Sequence, residues 1–159
     1  PLTELIRQAL RMRPSRLVLG ECRGSELADM LTAMNTGHSG TGGTVHANSA
    51  SAVPARLMAM GAMAGMTPEA LTLQALTALE FVVHISKRGS QRFISEIGVL
   101  TPQEKIFSVE PLCSWEQGRR SNHLRWTDAG ELLLEVAQRK ATHTESRSEN
   151  VLVESGVYS

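Results

Sequence analysis

The sequence predicts an α/β fold, in which helices alternate with the strands of a sheet. Three observations favour this class. The run Leu17-Val18-Leu19 is apolar without alternation, as expected for a strand buried on both faces of a parallel sheet. Segments with helical periodicity lie on both sides of this run, and three β-rich segments follow residue 80. At 159 residues the chain is long enough for one domain with a sizeable core.

The first half of the chain divides into five predicted elements. Thr3 is the expected cap of the first helix, which Pro14 ends, and Ser25 or a neighbour caps the second. The loop after the second helix contains four glycines and bends freely. In order, the elements are a helix over 3–12, a strand over 17–20, a helix over 25–34, the loop over 35–43 and a short strand over 44–46.

The second half predicts two more helices and then strands. Thr67 and Pro68 suit the cap and the first residue of the second of these helices. A turn at 88–90 indicates an antiparallel hairpin, and Asp128 is the expected cap of a last helix. The elements are helices over 50–65 and 68–79, strands over 81–87, 93–100 and 106–110, and a helix over 128–140. Residues 111–140 form an extension without a clear pattern, and the polar residues 141–159 are expected to be a disordered tail.

Charge and composition exclude several classes of protein. The 16 basic and 16 acidic residues balance, so no whole-chain field points to nucleic acid or to an anionic membrane. We therefore expect no direct nucleic-acid binding. No apolar run approaches the roughly 20 residues that span a bilayer. Cys22 and Cys113 form neither metal-type spacing nor a disulfide framework, so a cytoplasmic protein is expected.

Glu21 is the first candidate for a catalytic residue. It follows directly on the apolar strand, and open α/β sheets place their ligands at the carboxyl ends of strands. In an NTPase such a carboxylate orients or deprotonates the attacking water, or holds the magnesium shell. Arg23 would stabilise phosphate charge or hold Glu21 in place, and its guanidinium suits either task. The alternative is a strand-end carboxylate that only pairs with Arg16 or Arg23.

Two histidines, His38 and His46, bracket the Gly-, Ser- and Thr-rich loop. Such a loop can turn backbone N–H groups, hydroxyls and imidazoles toward one anion, and Thr44 lies in the same stretch. The loop holds no cysteine or carboxylate for a zinc site, and the chain has no Gly-x-Ser-x-Gly elbow for a serine hydrolase. We therefore expect a phosphate-binding loop without direct metal ligands. His84, His123 and His143 have no predicted role.

These two segments resemble a known family. Residues 12–24, Met-Arg-Pro-Ser-Arg-Leu-Val-Leu-Gly-Glu-Cys-Arg-Gly, resemble the Walker B region of the type II/type IV secretion ATPases. Residues 35–38 and 44–48, Asn-Thr-Gly-His and Thr-Val-His-Ala-Asn, resemble their His box. The most similar branch is that of the tight-adherence pilus and conjugal-transfer-associated ATPases, in the actinobacterial form with Gly-Glu-Cys-Arg-Gly. The resemblance covers residues 2 to 100.

The resemblance implies a RecA-like P-loop NTPase domain, of which residues 1–110 would be the C-terminal portion, with a β-hairpin and a helical tail. Glu21 would be the catalytic acid, and His38, Thr44 and His46 would sense the terminal phosphate of ATP. Mg²⁺ would arrive with ATP and reach Glu21 through water. The family works as hexameric rings on platform proteins at the inner face of the cell membrane. ATP turnover there drives pilus assembly, secretion or conjugal transfer.

The chain contains no Gly-x-x-x-x-Gly-Lys-Ser/Thr phosphate loop. We therefore expect it to be inactive by itself and to need a complementary half. The alternative is a non-catalytic interaction module that docks into a secretion ATPase ring. A phosphate-ester hydrolase built on His38 and His46 is a weaker alternative, because it lacks the metal-binding acids that such an enzyme needs.

Overall fold

The computed structural model describes residues 2–37, 40–104, 106–117, 122–135 and 137–138. The chain forms two compact units that divide between Pro111 and Leu112. The predicted limits at residues 110 and 140 stay predictions, and the predicted tail over 141–159 lies outside the described residues.

The first unit begins with helix α1, Leu2–Arg11. The predicted cap Thr3 is wrong, because the helix already includes it. Ile6 is buried, and the Arg7 guanidinium reaches Asp29 at 3.1 Å, which ties α1 to helix α2, Glu26–Asn35. After α1 the backbone turns at Arg13, whose φ is 49°, and Pro14 prevents the helix from continuing. The chain then enters the first strand.

Strand β1, Val18–Leu19, pairs in parallel with strand β2, Gly42–Gly43. The predicted burial on both faces is wrong, because Val18 is 77% exposed while Leu19 is 7% exposed. Leu19 joins the core, whereas no described residue covers Val18. The strand is therefore half-buried, and it ends one residue before Gly20.

The second strand lies earlier than predicted. Residues 44–46 are not a strand, and the ladder instead uses Gly42 and Gly43 from the predicted loop. A Cβ atom at Gly43 would lie 2.7 Å from Met30 Sδ and 3.6 Å from Leu19 Cβ. A larger residue at position 43 would have to displace Met30, because the strand packs directly on α2. A run of glycines in a sequence usually indicates a loop, but here Gly43 allows β2 to pack closely on α2.

Two further helices complete the helical layer. A 3₁₀ turn, Ala50–Ala52, leads into α3, Val53–Met63, so the predicted single helix over 50–65 is two elements. Helix α4 is Pro68–Ala78, and the Thr67 hydroxyl accepts a hydrogen bond from the Ala70 N–H at 3.2 Å. The predicted cap and first residue of α4 are confirmed. A Cβ atom at Gly61 would lie 2.7 Å from Leu71 Cδ2, so α3 and α4 pack closely.

The core of the first unit forms where α1, α2, α3 and α4 meet the strands. One face of α2 is buried, which satisfies the amphipathic pattern of that helix. Burial of such side chains is the main favourable term in folding. The largest fully buried hydrophobic residues of this core are Phe107, Leu27, Leu31, Met60, Leu71 and Cys22.

The larger sheet has the strand order β3-β4-β5-β6, where β3 is Val82–Arg88, β4 is Gln91–Pro102, β5 is Phe107–Gln117 and β6 is Asn122–Trp126. The predicted antiparallel hairpin of β3 and β4 is confirmed, with Gly89 at φ 57° in its turn. The third strand runs seven residues beyond its predicted end at residue 110, since it ends at Gln117. Strand β6 was not predicted.

In the second unit, the end of β5 pairs antiparallel with β6, beginning at Cys113 opposite Trp126. Residues 128–135 and 137–138 are helical, as predicted for this part of the segment 128–140. The predicted cap Asp128 is wrong. The Thr127 hydroxyl accepts from the Gly130 N–H at 3.1 Å and so caps this helix.

Candidate active site around Glu21

Thr44 fixes the backbone on both sides of Glu21. Its hydroxyl donates to the carbonyl of Gly20, and its own carbonyl accepts from the Cys22 N–H at 2.8 Å. These bonds continue the pairing of β1 and β2 beyond the two ladder residues. Glu21 therefore projects from a segment that is held at both of its neighbours.

The Glu21 carboxylate contacts two basic side chains. Its Oε2 lies 2.6 Å from an Nη of Arg23, and its Oε1 lies 2.8 Å from His46 Nε2. The side chain of Glu21 is 25% exposed, whereas those of Arg23 and His46 are 75% and 84% exposed. The acid thus lies beneath two basic groups that solvent reaches freely. A hydrogen bond from a charged guanidinium stabilises the charge of a carboxylate, and contacts at both oxygens orient it.

The charges around Glu21 favour its ionised form. The hydrogen bond from Arg23 holds the pKa of Glu21 below its usual value of 4.5, although partial burial opposes this shift. The same contact raises the pKa of Arg23. At neutral pH Glu21 is therefore a carboxylate that can accept a hydrogen bond from water. Loss of the Arg23 contact would raise the pKa of Glu21 and make it a stronger base.

The turn between β1 and α2 is held by a residue that sequence reasoning missed. Glu26 accepts hydrogen bonds from the Arg23 N–H at 2.5 Å and the Gly24 N–H at 3.0 Å. These bonds, that from Arg23 first, lower the pKa of Glu26. Ser25 makes no side-chain cap bond. The available signal was an acid in the first turn of a helix, where carboxylates are favoured.

The structure brings together Glu21, Arg23, Thr44 and His46. His38 lies outside the described residues, so its predicted role remains a prediction. The loop next to it passes close to the segment before β1, since a Cβ atom at Gly40 would lie 2.7 Å from Arg16 Cγ. This approach keeps the glycine-rich segment beside the strand that leads to Glu21.

A cavity of about 310 Å³ adjoins this group of residues. Gly43 to Ala47 line it on the side of β2, and Phe81 to Ile85 line it on the side of β3. Met30, Met34 and Leu57 are among its apolar walls, and His46 belongs to both the cavity and the Glu21 site. His84 also lines it, and its Nδ1 lies 2.8 Å from the Ser95 hydroxyl.

Across the described ranges, no group of three or more His, Cys, Asp and Glu side chains could hold a metal ion directly. Within the same ranges, none of the helices combines the length and apolar character that crossing a membrane requires.

Comparisons with known proteins place this site in context. A family model described as type II/IV secretion system protein matches residues 1–154. A conjugal transfer protein of Mycobacterium tuberculosis is 45% identical over 117 residues, which are 73% of this chain and 33% of that protein. The type IV secretion system protein PtlH of Bordetella pertussis is 43% identical over 94 residues, covering 56% and 27% of the two chains.

A solved structure is also similar. It is the crystal structure of the VirB11 ATPase from the Brucella suis type IV secretion system in complex with sulphate. The TM-score is 0.57 at 29% identity, over 62% of this chain and 32% of that one. The chain thus spans about a third of the length of the relatives it matches. With an ATPase-like α/β fold and this family match, the chain belongs to the type II/IV secretion system protein family.

Proposed function

We propose that this chain is the Walker B and His-box portion of a RecA-like ATPase domain that powers secretion, pilus assembly or conjugal transfer. The observation that carries the proposal is the Glu21 carboxylate held between Arg23 and His46 at the end of β1. The similarity to the VirB11 ATPase supports the class of reaction. A carboxylate placed in this way suits activation of water for attack on a phosphate.

Each residue of the group has a proposed role. Glu21 orients the attacking water and accepts its proton, and Arg23 neutralises phosphate charge after it leaves Glu21. His46, together with His38, senses the terminal phosphate. The hydroxyl of Thr44 is already donated to Gly20, so we propose that Thr44 acts through the backbone of Glu21.

ATP and Mg²⁺ are the proposed cofactors of the complete enzyme. The described residues form no group of three or more possible metal ligands, so Mg²⁺ would be held mainly by the phosphates and would meet Glu21 through water. When bound, Mg²⁺ neutralises charge that develops on the phosphate oxygens. The chain's own residues supply the base and the cationic groups around it.

The proposed assembly is a hexameric ring at the inner face of the cell membrane, working with platform proteins of a secretion or pilus system. Support comes from the family match and from relatives that are named for type IV secretion and conjugal transfer. Arg23 and His46 are largely exposed, so a phosphate that is bound against the rest of such an enzyme could reach them and compete with Glu21 for their contacts.

The test is Glu21→Gln in a complete ATPase that contains this chain. The amide keeps the shape of the side chain but cannot accept the proton of water. We expect hydrolysis to fall by about 10² to 10⁴, with ATP affinity nearly unchanged. Phosphate release and equilibrium binding of ATP would be measured on the same preparation.

The matched control is Glu69→Gln, which removes an exposed carboxylate in the first turn of α4 and should leave turnover unchanged. A Glu21→Gln enzyme that retains most of its turnover would show that Glu21 only pairs with Arg23 and His46. The non-catalytic docking module would then be the better account of the chain.

A further inference from the structure

The turn of residues 22–24 connects the segment that carries Glu21 to helix α2, and the Glu26 side chain accepts two of its backbone N–H groups. We propose that Glu26 is a positioning residue, which fixes the backbone of Arg23 and thereby presents the Arg23 guanidinium to Glu21. The expected effect of Glu26 on hydrolysis rests on the proposed function, whereas its effect on the conformation of Arg23 does not. Glu26 itself has no contact with the Glu21 carboxylate among the described interactions.

Two backbone donors converge on the Glu26 carboxylate. One of its oxygens accepts from the Arg23 N–H at 2.5 Å and from the Gly24 N–H at 3.0 Å. Hydrogen bonds to an ionised acceptor are roughly twice as strong as neutral ones. The cap position Ser25 contributes no side-chain bond. The conformation of the turn therefore depends on Glu26.

The orientation of Arg23 needs such support, because its side chain is 75% exposed and long. An exposed arginine loses considerable rotamer entropy when it is held in one geometry. Fixing the backbone of Arg23 limits the range of positions that its guanidinium can reach. The guanidinium then lies 2.6 Å from Glu21, and its hydrogen bond lowers the pKa of that acid.

The direction in which Glu26→Gln changes the pKa of Glu21 distinguishes a positioning role of Glu26 from a purely electrostatic effect of its charge. Glu26→Gln removes one negative charge, and through-space electrostatics alone would leave the pKa of Glu21 unchanged or lower it. If Glu26 holds Arg23 in place, the variant loosens the contact of Arg23 with Glu21, and the pKa of Glu21 rises toward 4.5. Only the positioning role predicts a rise.

The experiment uses NMR on the 159-residue chain. The carboxyl carbon of Glu21 and the amide protons of Arg23 and Gly24 are followed from pH 7 into the acid range. In the wild type both amides should shift together as Glu26 takes up its proton. In Glu26→Gln this shift should vanish and the pKa of Glu21 should rise, and Glu26→Ala should raise it further.

Glu69→Gln is the control, because it removes an acid from the first turn of α4 without touching this turn. It should leave both the amide shifts and the pKa of Glu21 unchanged. Signals from the β3–β4 hairpin report whether each variant is folded. Should the Glu26 variants not fold, the wild-type titration still decides, because Arg23 and Gly24 amides that do not follow Glu26 would overturn the proposal.

An unchanged or lowered pKa of Glu21 in folded Glu26→Gln would also overturn it, leaving Glu26 as a helix cap alone. In the complete ATPase we expect kcat to fall by roughly 10- to 100-fold with KM little changed, as for a small misplacement of a catalytic group. If Glu21→Gln retained turnover while the NMR results held, the proposed function would fail and the positioning role would stand.

Discussion

His46 contacts the catalytic candidate through one atom and is otherwise open to solvent. Its side chain is 84% exposed and its Nε2 lies 2.8 Å from Glu21 Oε1. A side chain with so little burial contributes little packing to the fold. Any importance of His46 therefore lies in its polar contacts at the site and not in packing.

In a complete ATPase, His46→Ala should lower turnover without changing the melting temperature appreciably. A phosphate sensor contributes mainly in the closed site, so kcat should fall more than ATP affinity. His84→Ala is the contrasting variant, because His84 bonds to Ser95 within the hairpin. It should lower the melting temperature and leave activity per folded molecule normal. The opposite pattern would make His46 a structural residue.

Residue patterns predicted the group around Glu21 only in part. A strand-end acid and a nearby arginine are visible in the sequence, and the structure pairs them at 2.6 Å. The role of Glu26 was missed because an acid two residues after Gly24 looks like an ordinary helix start. Which backbone groups a side chain reaches depends on the turn, and the turn is not encoded by residue type alone.

Among the elements, β2 depends on the absence of a side chain at Gly43. Gly43→Ala places a Cβ atom 2.7 Å from Met30 Sδ, so the buried Met30 side chain, α2 or the strand must shift. We expect a loss of about 1–3 kcal/mol in the free energy of unfolding, as for other overpacked positions. Urea denaturation measures this loss.

Gly42→Ala is the matched control, because a Cβ atom at Gly42 has no neighbour within 4 Å. It should be close to neutral. Equal losses at the two positions would show that backbone entropy, and not the contact with Met30, requires glycine in β2.

Local sequence patterns explain which elements could be predicted and which could not. Helices α2 and α4 and the β3–β4 hairpin follow from periodicity, capping and turn residues, and they lie within a few residues of their predicted bounds. Strand β2 was predicted two residues too late, because two glycines carry no β-propensity. Strand β6 lies where the pattern of apolar residues is weak.

For the molecule as a whole, the affinity for nucleotide depends on which phosphate-binding groups the chain contains. The 159 residues contain no Gly-x-x-x-x-Gly-Lys-Ser/Thr loop, which would provide a cradle of N–H groups and a lysine. We expect Mg·ATP to bind this chain with a Kd above about 1 mM. This corresponds to a binding free energy of less than roughly 4 kcal/mol in magnitude. Isothermal calorimetry tests this, and a micromolar constant would contradict it.

The length of the β1–β2 ladder has a consequence for hydrogen exchange. The segment before Glu21 is held by two ladder residues per strand and by the bonds of Thr44, whereas β3 and β4 pair over seven residues of β3. Short ladders open at low free energy, so the Cys22 amide should exchange faster than amides of the hairpin. A nucleotide that engages Glu21 and its neighbours would slow this exchange. The Cys22 amide is thus a reporter of occupancy that needs no turnover.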